Sequence, residues 1–244
     1  MKPPKKASEM TVKELAAYID QSVLKPEFTE AEIRKYITEG IDYGCKTVCI
    51  NPASIEIARE LCKGTNTGIC VVCDFPFGLS TTASKIKQAE EICKNRDVED
   101  LDVVANYGWI RSKKWKSVEI EIKDIAAVTH SFGSLLKVIL ETDALTIEEV
   151  SKAAEAVCNA GADFVKTSTG FYTGGQSKGA AVEVVQAIMD AVRGRCKVKG
   201  SGGIRDQEHF FRLIDMGIDR MGIGYRSTPV VLGLDKASAI IPRT

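Results

Sequence analysis

Short apolar runs alternate with longer segments of helical period from one end of the chain to the other, and this repetition restricts the fold more than any single motif does. Eight runs read as strands, near residues 18–22, 47–50, 69–74, 101–105, 135–140, 164–166, 196–199 and 220–222. Helix candidates between them lie at 30–43, 54–63, 80–94, 115–131, 146–160, 180–193 and 206–216. Thr146-Ile147-Glu148-Glu149 opens one of these as a capping box, and Gly161 closes the same helix. Near-continuous apolar strands separated by helices call for a parallel sheet covered by helices. Eight repeats predict a closed (β/α)8 barrel, the TIM barrel, as one catalytic domain over residues 10–244 behind a flexible tail at 1–9. A doubly wound open sheet is the alternative, but no Gly-x-Gly-x-x-Gly turn follows the first strand.

The 244 residues, 44% of them hydrophobic, are enough for one barrel core. Lys plus Arg and Asp plus Glu each number 33, so no global charge points to nucleic acid or an anionic membrane, and any phosphate site must be local. No apolar stretch approaches the roughly 20 residues of a bilayer span. The start, Met1-Lys2-Pro3-Pro4-Lys5-Lys6, is basic with no apolar segment behind it and does not read as an export signal. The 8 cysteines are scattered through strand-like and helix-like segments, so reduced thiols and a cytoplasmic location are expected. Cys70-Val71-Val72-Cys73 has the spacing of a metal or redox pair, yet a strand would send the two sulfurs to opposite faces. With only 2 histidines, His130 and His209, each isolated in a helical segment, neither a metal nor another cofactor is expected.

Catalytic groups of such a barrel sit at the carboxyl ends of its strands, facing one mouth. Asp20, Cys49, Asp102, Asn106, Lys137, Lys166 and Lys199 are the candidates there. Lys166 ends a short buried run and is followed by three hydroxyl residues and glycine. A lysine is costly to bury unless paired or used, and this position suits Schiff-base chemistry with a carbonyl; the bland alternative is a lysine that snorkels into water. Cys196-Lys197-Val198-Lys199-Gly200 repeats the pattern, which favours the functional reading. Asp100 reads as a solvated strand-entry acid and Asp102 as a core carboxylate needing a partner, while Lys137 is expected inside the barrel. Ser201-Gly202-Gly203 and Gly222-Ile223-Gly224 follow the seventh and eighth strands, where barrels often bind phosphate through main-chain N–H groups.

Several of these segments resemble the deoxyribose-phosphate aldolase family, class I aldolases built on the (β/α)8 barrel. The matching stretches are 19–26, 48–52, 75–78, 101–106, 136–142, 161–170 and 199–205, in order, within a similarity running from about residue 10 to 232. Val165-Lys166-Thr167-Ser168-Thr169-Gly170 is the most specific of them. The resemblance implies that Lys166 forms the imine, with Asp102 and Lys199 as partners. The reaction would cleave 2-deoxy-D-ribose 5-phosphate reversibly to D-glyceraldehyde 3-phosphate and acetaldehyde. A nearby ammonium at Lys199 disfavours a second positive charge and so favours the free amine on Lys166. Asp102 would carry protons, through water. Ser201, Gly202, Gly203, Gly222 and Gly224 would hold the phosphate, with Asp20, Ser22, Cys49, Lys137 and Thr169 in support. A homodimer or homotetramer is also implied.

The chain departs from the family pattern at several points. Gln21-Ser22 stands where His-Thr is usual, Lys197 where a small residue is usual, and Gly200 where alanine is common. Gly222-Ile223-Gly224-Tyr225 lacks a serine that often helps hold the phosphate, and the chain ends at Thr244 without a terminal tyrosine. These bear on substrate and rate rather than reaction class. A Schiff-base aldolase for another phosphorylated aldehyde or sugar would keep the three catalytic residues and change the phosphate loops. A non-catalytic binding relative would have no need of the lysine pair.

Overall fold

The eight apolar runs hydrogen-bond in sequence order and close on themselves, β1 pairing with β8 and every pairing parallel. In this computed structural model, which describes residues 3–234, the strands are β1 (Ile19–Val23), β2 (Thr47–Ile50), β3 (Gly68–Cys73) and β4 (Val98–Val104). They continue as β5 (Leu135–Ile139), β6 (Phe164–Lys166), β7 (Lys197–Ser201) and β8 (Arg220–Gly224). Residues at alternate positions turn outward and bury against the surrounding helices: Val48 and Ile50, Leu101 and Val103, Leu136 and Val138. The intervening positions point into the barrel, and there the chain places charge. Register brings Asp102 opposite Lys137, and Lys166 opposite Lys199.

Local chemistry sets the helix starts. Thr29 and Thr146 each accept from the backbone N–H three residues on, with Glu32 and Glu149 completing capping boxes. The helix Ile147–Asn159 ends before Gly161, whose φ of +93° lies in the left-handed region. Short helices at Val12–Ala16, Tyr107–Arg111 and Thr228–Val231 escaped the periodicity, because one turn or so carries no readable repeat.

Three expectations need correction. Asp100 is not a solvated acid but fully buried, because β4 begins at Val98 and a register shift against Ile69 and Cys70 turns Val98 outward while Asp100 points in beside Asp102. Asp20 and Asp102 lie within their strands rather than at the ends, while Lys137 lies mid-strand inside the barrel, as its flanking apolar residues suggest. The expected tail at 1–9 is docked at its inner end: Ala7–Glu9 form a 3-10 turn, and the buried Ala7 donates its N–H to Asp215 Oδ1 at 2.8 Å. Residues 1–2 of that tail, and the chain end at Thr244 with all of 235–244, lie outside the described residues.

Candidate active site

Asp102 is the point on which the buried lysines converge. Its Oδ2 accepts from Lys166 Nζ at 2.7 Å and from Lys199 Nζ at 2.7 Å. Its Oδ1 accepts from Cys70 Sγ at 3.1 Å and lies 3.2 Å from Lys137 Nζ. Asp20 supports the same layer: its Oδ1 accepts from Thr47 Oγ1 and Arg220 Nη1, both at 2.7 Å. Asp20 Oδ2 lies 2.5 Å from Lys199 Nζ but outside hydrogen-bond geometry, so charge rather than an aligned N–H holds it. Deeper still, Lys137 pairs with Asp100, and the Phe164 ring floors the cluster 5.5 Å from Lys137 Nζ. Asp102, Lys137 and Lys199 have no exposed surface, and Lys166 keeps 2%.

Charge pairing overrides desolvation here. Burial works to raise the Asp102 carboxyl, but Lys137, Lys166 and Lys199 outweigh it and hold it well below the usual carboxylate range. Burial also works against the Lys199 ammonium, yet Asp102 and Asp20 keep it protonated far above the ordinary lysine range. Lys137 is raised in the same way against its own burial, chiefly by Asp102. Burial pushes Asp100 up, with Lys137 opposing and Asp20 adding to the rise. The two lysines near the mouth are therefore unequal. Lys199 has two carboxylates; Lys166, among the described residues, has only the one it shares.

A cavity of about 300 Å³ opens above Lys166. One wall is apolar: Leu24 and Phe171, the latter met edge-on by Phe75 with ring centroids 5.3 Å apart, and backed by Cys49, Cys70 and Val72. Its polar and glycine lining is Ser22, Ser201, Gly202, Gly222 and Gly224, together with Lys25 and Tyr225. Gly222 makes room for the lysine stem, since a Cβ there would sit 3.0 Å from Ser201 Cβ and 3.5 Å from Lys199 Cε. Gly202 stacks on Gly179, whose own Cβ would meet Gly202 O at 2.2 Å.

Lys166, Lys199, Asp102, Asp20, Lys137 and Cys49 are thus gathered in one interior cluster, with Ser22 and Thr169 at its upper edge. Of the remaining sequence candidates, Ser201, Gly202, Gly222 and Gly224 line the same cavity as Lys166. Gly203 is exposed and does not line the cavity. Ser201 spends its hydroxyl on Ser168 O and its N–H on Thr167 Oγ1 at 2.9 Å, so neither donor faces outward. Asn106 caps the helix Tyr107–Arg111 through its Oδ1. Cys49 and Cys70 stand 3.5 Å apart, but Cys73 turns to the helix side, toward Gln88. Donor sets that could hold a cation, Cys49 with Cys70 and Asp102, and Asp20 with Cys70 and Asp100, are already bridged by lysine ammoniums. His130 pairs with Asp163 and His209 with Ala180 O, both away from the cluster.

Sequence reading passed over Leu24, Phe171, Lys25 and Tyr225, which carry no signal except their neighbourhood, and it gave Glu141 no role. That carboxylate is 2% exposed at the end of β5, where an acid normally reads as a solvated strand end. Burial pushes its carboxyl up, against hydrogen bonds from Thr169.

The family model of the DeoC/LacD family aldolases matches residues 15–234. A deoxyribose-phosphate aldolase of Desulfitobacterium hafniense is 40% identical over 213 residues, 87% of this chain and 95% of that one. One from Staphylococcus carnosus is 41% identical over 224 residues, 91% of this chain and 98% of that one. Among solved structures, the deoxyribose phosphate aldolase of Aeropyrum pernix, described as a unique tetramer, superposes with a TM-score of 0.82 at 29% identity, covering 93% of each chain. An aldolase designated QR15 gives 0.80 at 37% identity, covering 90% of this chain and 95% of that one.

Proposed function

The chain belongs to the DeoC/LacD family of aldolases, and on that premise we propose that it is a Schiff-base lyase cleaving 2-deoxy-D-ribose 5-phosphate to D-glyceraldehyde 3-phosphate and acetaldehyde. The observation that carries the site assignment is the single buried carboxylate oxygen, Asp102 Oδ2, shared by two lysines at 2.7 Å each on the floor of a cavity.

The asymmetry of the lysines divides their roles. Lys199, held by two carboxylates, keeps its proton. Lys166, which has only the carboxylate it shares and lines the cavity, is the lysine placed to act as the nucleophile. Its free amine attacks the C1 aldehyde of the open-chain sugar, and loss of water with uptake of one proton from solvent leaves a protonated imine. Asp102, directly or through a water, takes the proton of the C3 hydroxyl. The C2–C3 bond then breaks, its electron pair flowing to the imine nitrogen, and glyceraldehyde 3-phosphate departs. The enamine carbon takes a proton back by the same route, and water releases acetaldehyde from Lys166. The apolar wall of Leu24 and Phe171 suits the two-carbon fragment, and the glycine wall suits the phosphate end.

Gly224, with open space around its Cα, and Tyr225 in the cavity lining favour one further reading, in which the same centre serves a different phosphorylated aldehyde. A homo-oligomer in the cytoplasm completes the proposal; the Aeropyrum pernix relative supports the assembly, and no described helix is long and apolar enough to cross a membrane. Steady-state cleavage of 2-deoxyribose 5-phosphate, coupled to detection of the triose phosphate, tests the reading. Absence of turnover, with no borohydride-trapped adduct, would reject it.

A further inference from the structure

We propose that Glu141 is a positioning residue for the aldehyde-binding wall: its carboxylate fixes Thr169, and through Thr169 it fixes Phe171, against which the two-carbon half of the substrate lies beside Lys166. The proposal rests on the Schiff-base reading above. A buried carboxylate is costly unless something in the fold uses it. No cation lies within ion-pair distance of Glu141 among the described residues; hydrogen bonds hold its carboxylate, with the more distant charge of Lys166 also favouring it. Thr169 supplies them, donating its hydroxyl to Oε2 and its N–H to Oε1 at 3.4 Å. Thr169 Oγ1 in turn accepts the N–H of Phe171 at 3.0 Å.

The backbone also commits to this arrangement. Glu141 takes φ 57° and ψ 62°, a left-handed conformation that a non-glycine residue adopts at a cost. The next two residues hold the same loop elsewhere. Thr142 Oγ1 meets Ser168 Oγ at 3.0 Å, and Asp143 accepts from the N–H groups of Lys178 and Gly179 at 2.6 and 2.8 Å. Those contacts secure the loop at its ends. Of these three residues, Glu141 is the one hydrogen-bonded to the stretch 169–171 that lines the cavity, where the Phe171 ring also meets Phe75.

Exchange of acetaldehyde methyl protons in deuterium oxide isolates this half of the reaction, because it needs the imine and enamine but no phosphate. In Glu141→Ala the exchange rate per borohydride-titrated site should fall about 10²-fold, the scale of an ångström-level misplacement. The ratio of KM for 2-deoxyribose 5-phosphate to KM for deoxyribose should stay unchanged. Glu141→Gln, which keeps one acceptor, should recover part of the loss and serves alone if Glu141→Ala does not fold. Thr169→Val removes both hydroxyl bonds of the relay and should cost at least as much as Glu141→Gln, and adding Glu141→Gln to it should cost little more. Exchange per site within a few-fold of the parent, or fully additive losses, would overturn the positioning role. A parent that neither exchanges nor traps acetaldehyde would instead reject the aldolase reading itself.

Discussion

Lys166 and Lys199 carry the same side chain, sit opposite each other in adjacent strands and bond the same oxygen, yet Lys199 meets a second carboxylate, Asp20. Incubation with acetaldehyde and borohydride should leave an ethyl group on the peptide containing Lys166; labelling of Lys199 would reverse the roles. Lys199→Leu should move the onset of imine formation to higher pH. The change removes a repelling charge and leaves Asp102 to stabilise an ammonium on Lys166, and both effects act in that direction. An unchanged profile at a normal rate would make Lys199 structural. Asp102→Asn should lower turnover by roughly 10²–10⁴-fold while slow trapping persists. A variant within a few-fold of the parent would remove Asp102 from the chemistry. Lys166 was readable because an apolar run closed by lysine has few explanations. Glu141 was not, since an acid after a strand has an ordinary one.

Among the elements, the loops after β7 and β8 divide more sharply than their shared glycines suggest. Gly224 has no atom within 4 Å of a built Cβ and no positive φ, so Gly224→Ala should leave the thermal midpoint unchanged. If that loop holds the phosphate, KM should rise far more for 2-deoxyribose 5-phosphate than for deoxyribose. An equal change for both substrates would place the anion elsewhere. Gly203 is the poorer probe: at φ +77° an alanine is strained wherever the ligand binds. Strand existence and order were legible from the alternation, whereas strand ends were not. The register shift in β4 that turns Asp100 inward depends on the neighbouring strand and leaves no local trace.

At the scale of the whole molecule, the barrel interior is an ion cluster where a hydrocarbon core would cost less. Asp20 and Asp102 are held below the usual carboxylate range, so their contribution to stability is present above about pH 4 and lost as pH falls through their folded values. Asp100, pushed up by burial, works in the opposite sense and offsets part of that acid limb. Lys137 and Lys199 are raised, so their contribution is present below about pH 10.4 and lost as pH climbs through their folded values. Thermal midpoints should therefore fall at both extremes. Asp102→Asn should flatten the acid limb, and an acid limb identical to the parent's would place its origin outside the cluster.

The number of repeats, their order and the barrel they form followed from the sequence alone, because helix and strand periods are local properties of a chain. The burial of Lys166 was also legible, through an apolar run ended by a lysine, while the reaction class came from the resemblance of several segments to a known family. Which charges meet was decided only by the tertiary structure. Asp20 and Arg220 are 200 residues apart and touch because β1 closes against β8. Lys199 and Asp102 are separated by 97 residues and share a bond across the barrel. Both faces of a barrel strand are buried, so apolarity along the strand does not say which side chains point to the axis. Closure and register determine that direction, and with it which of the buried acids and lysines become a site.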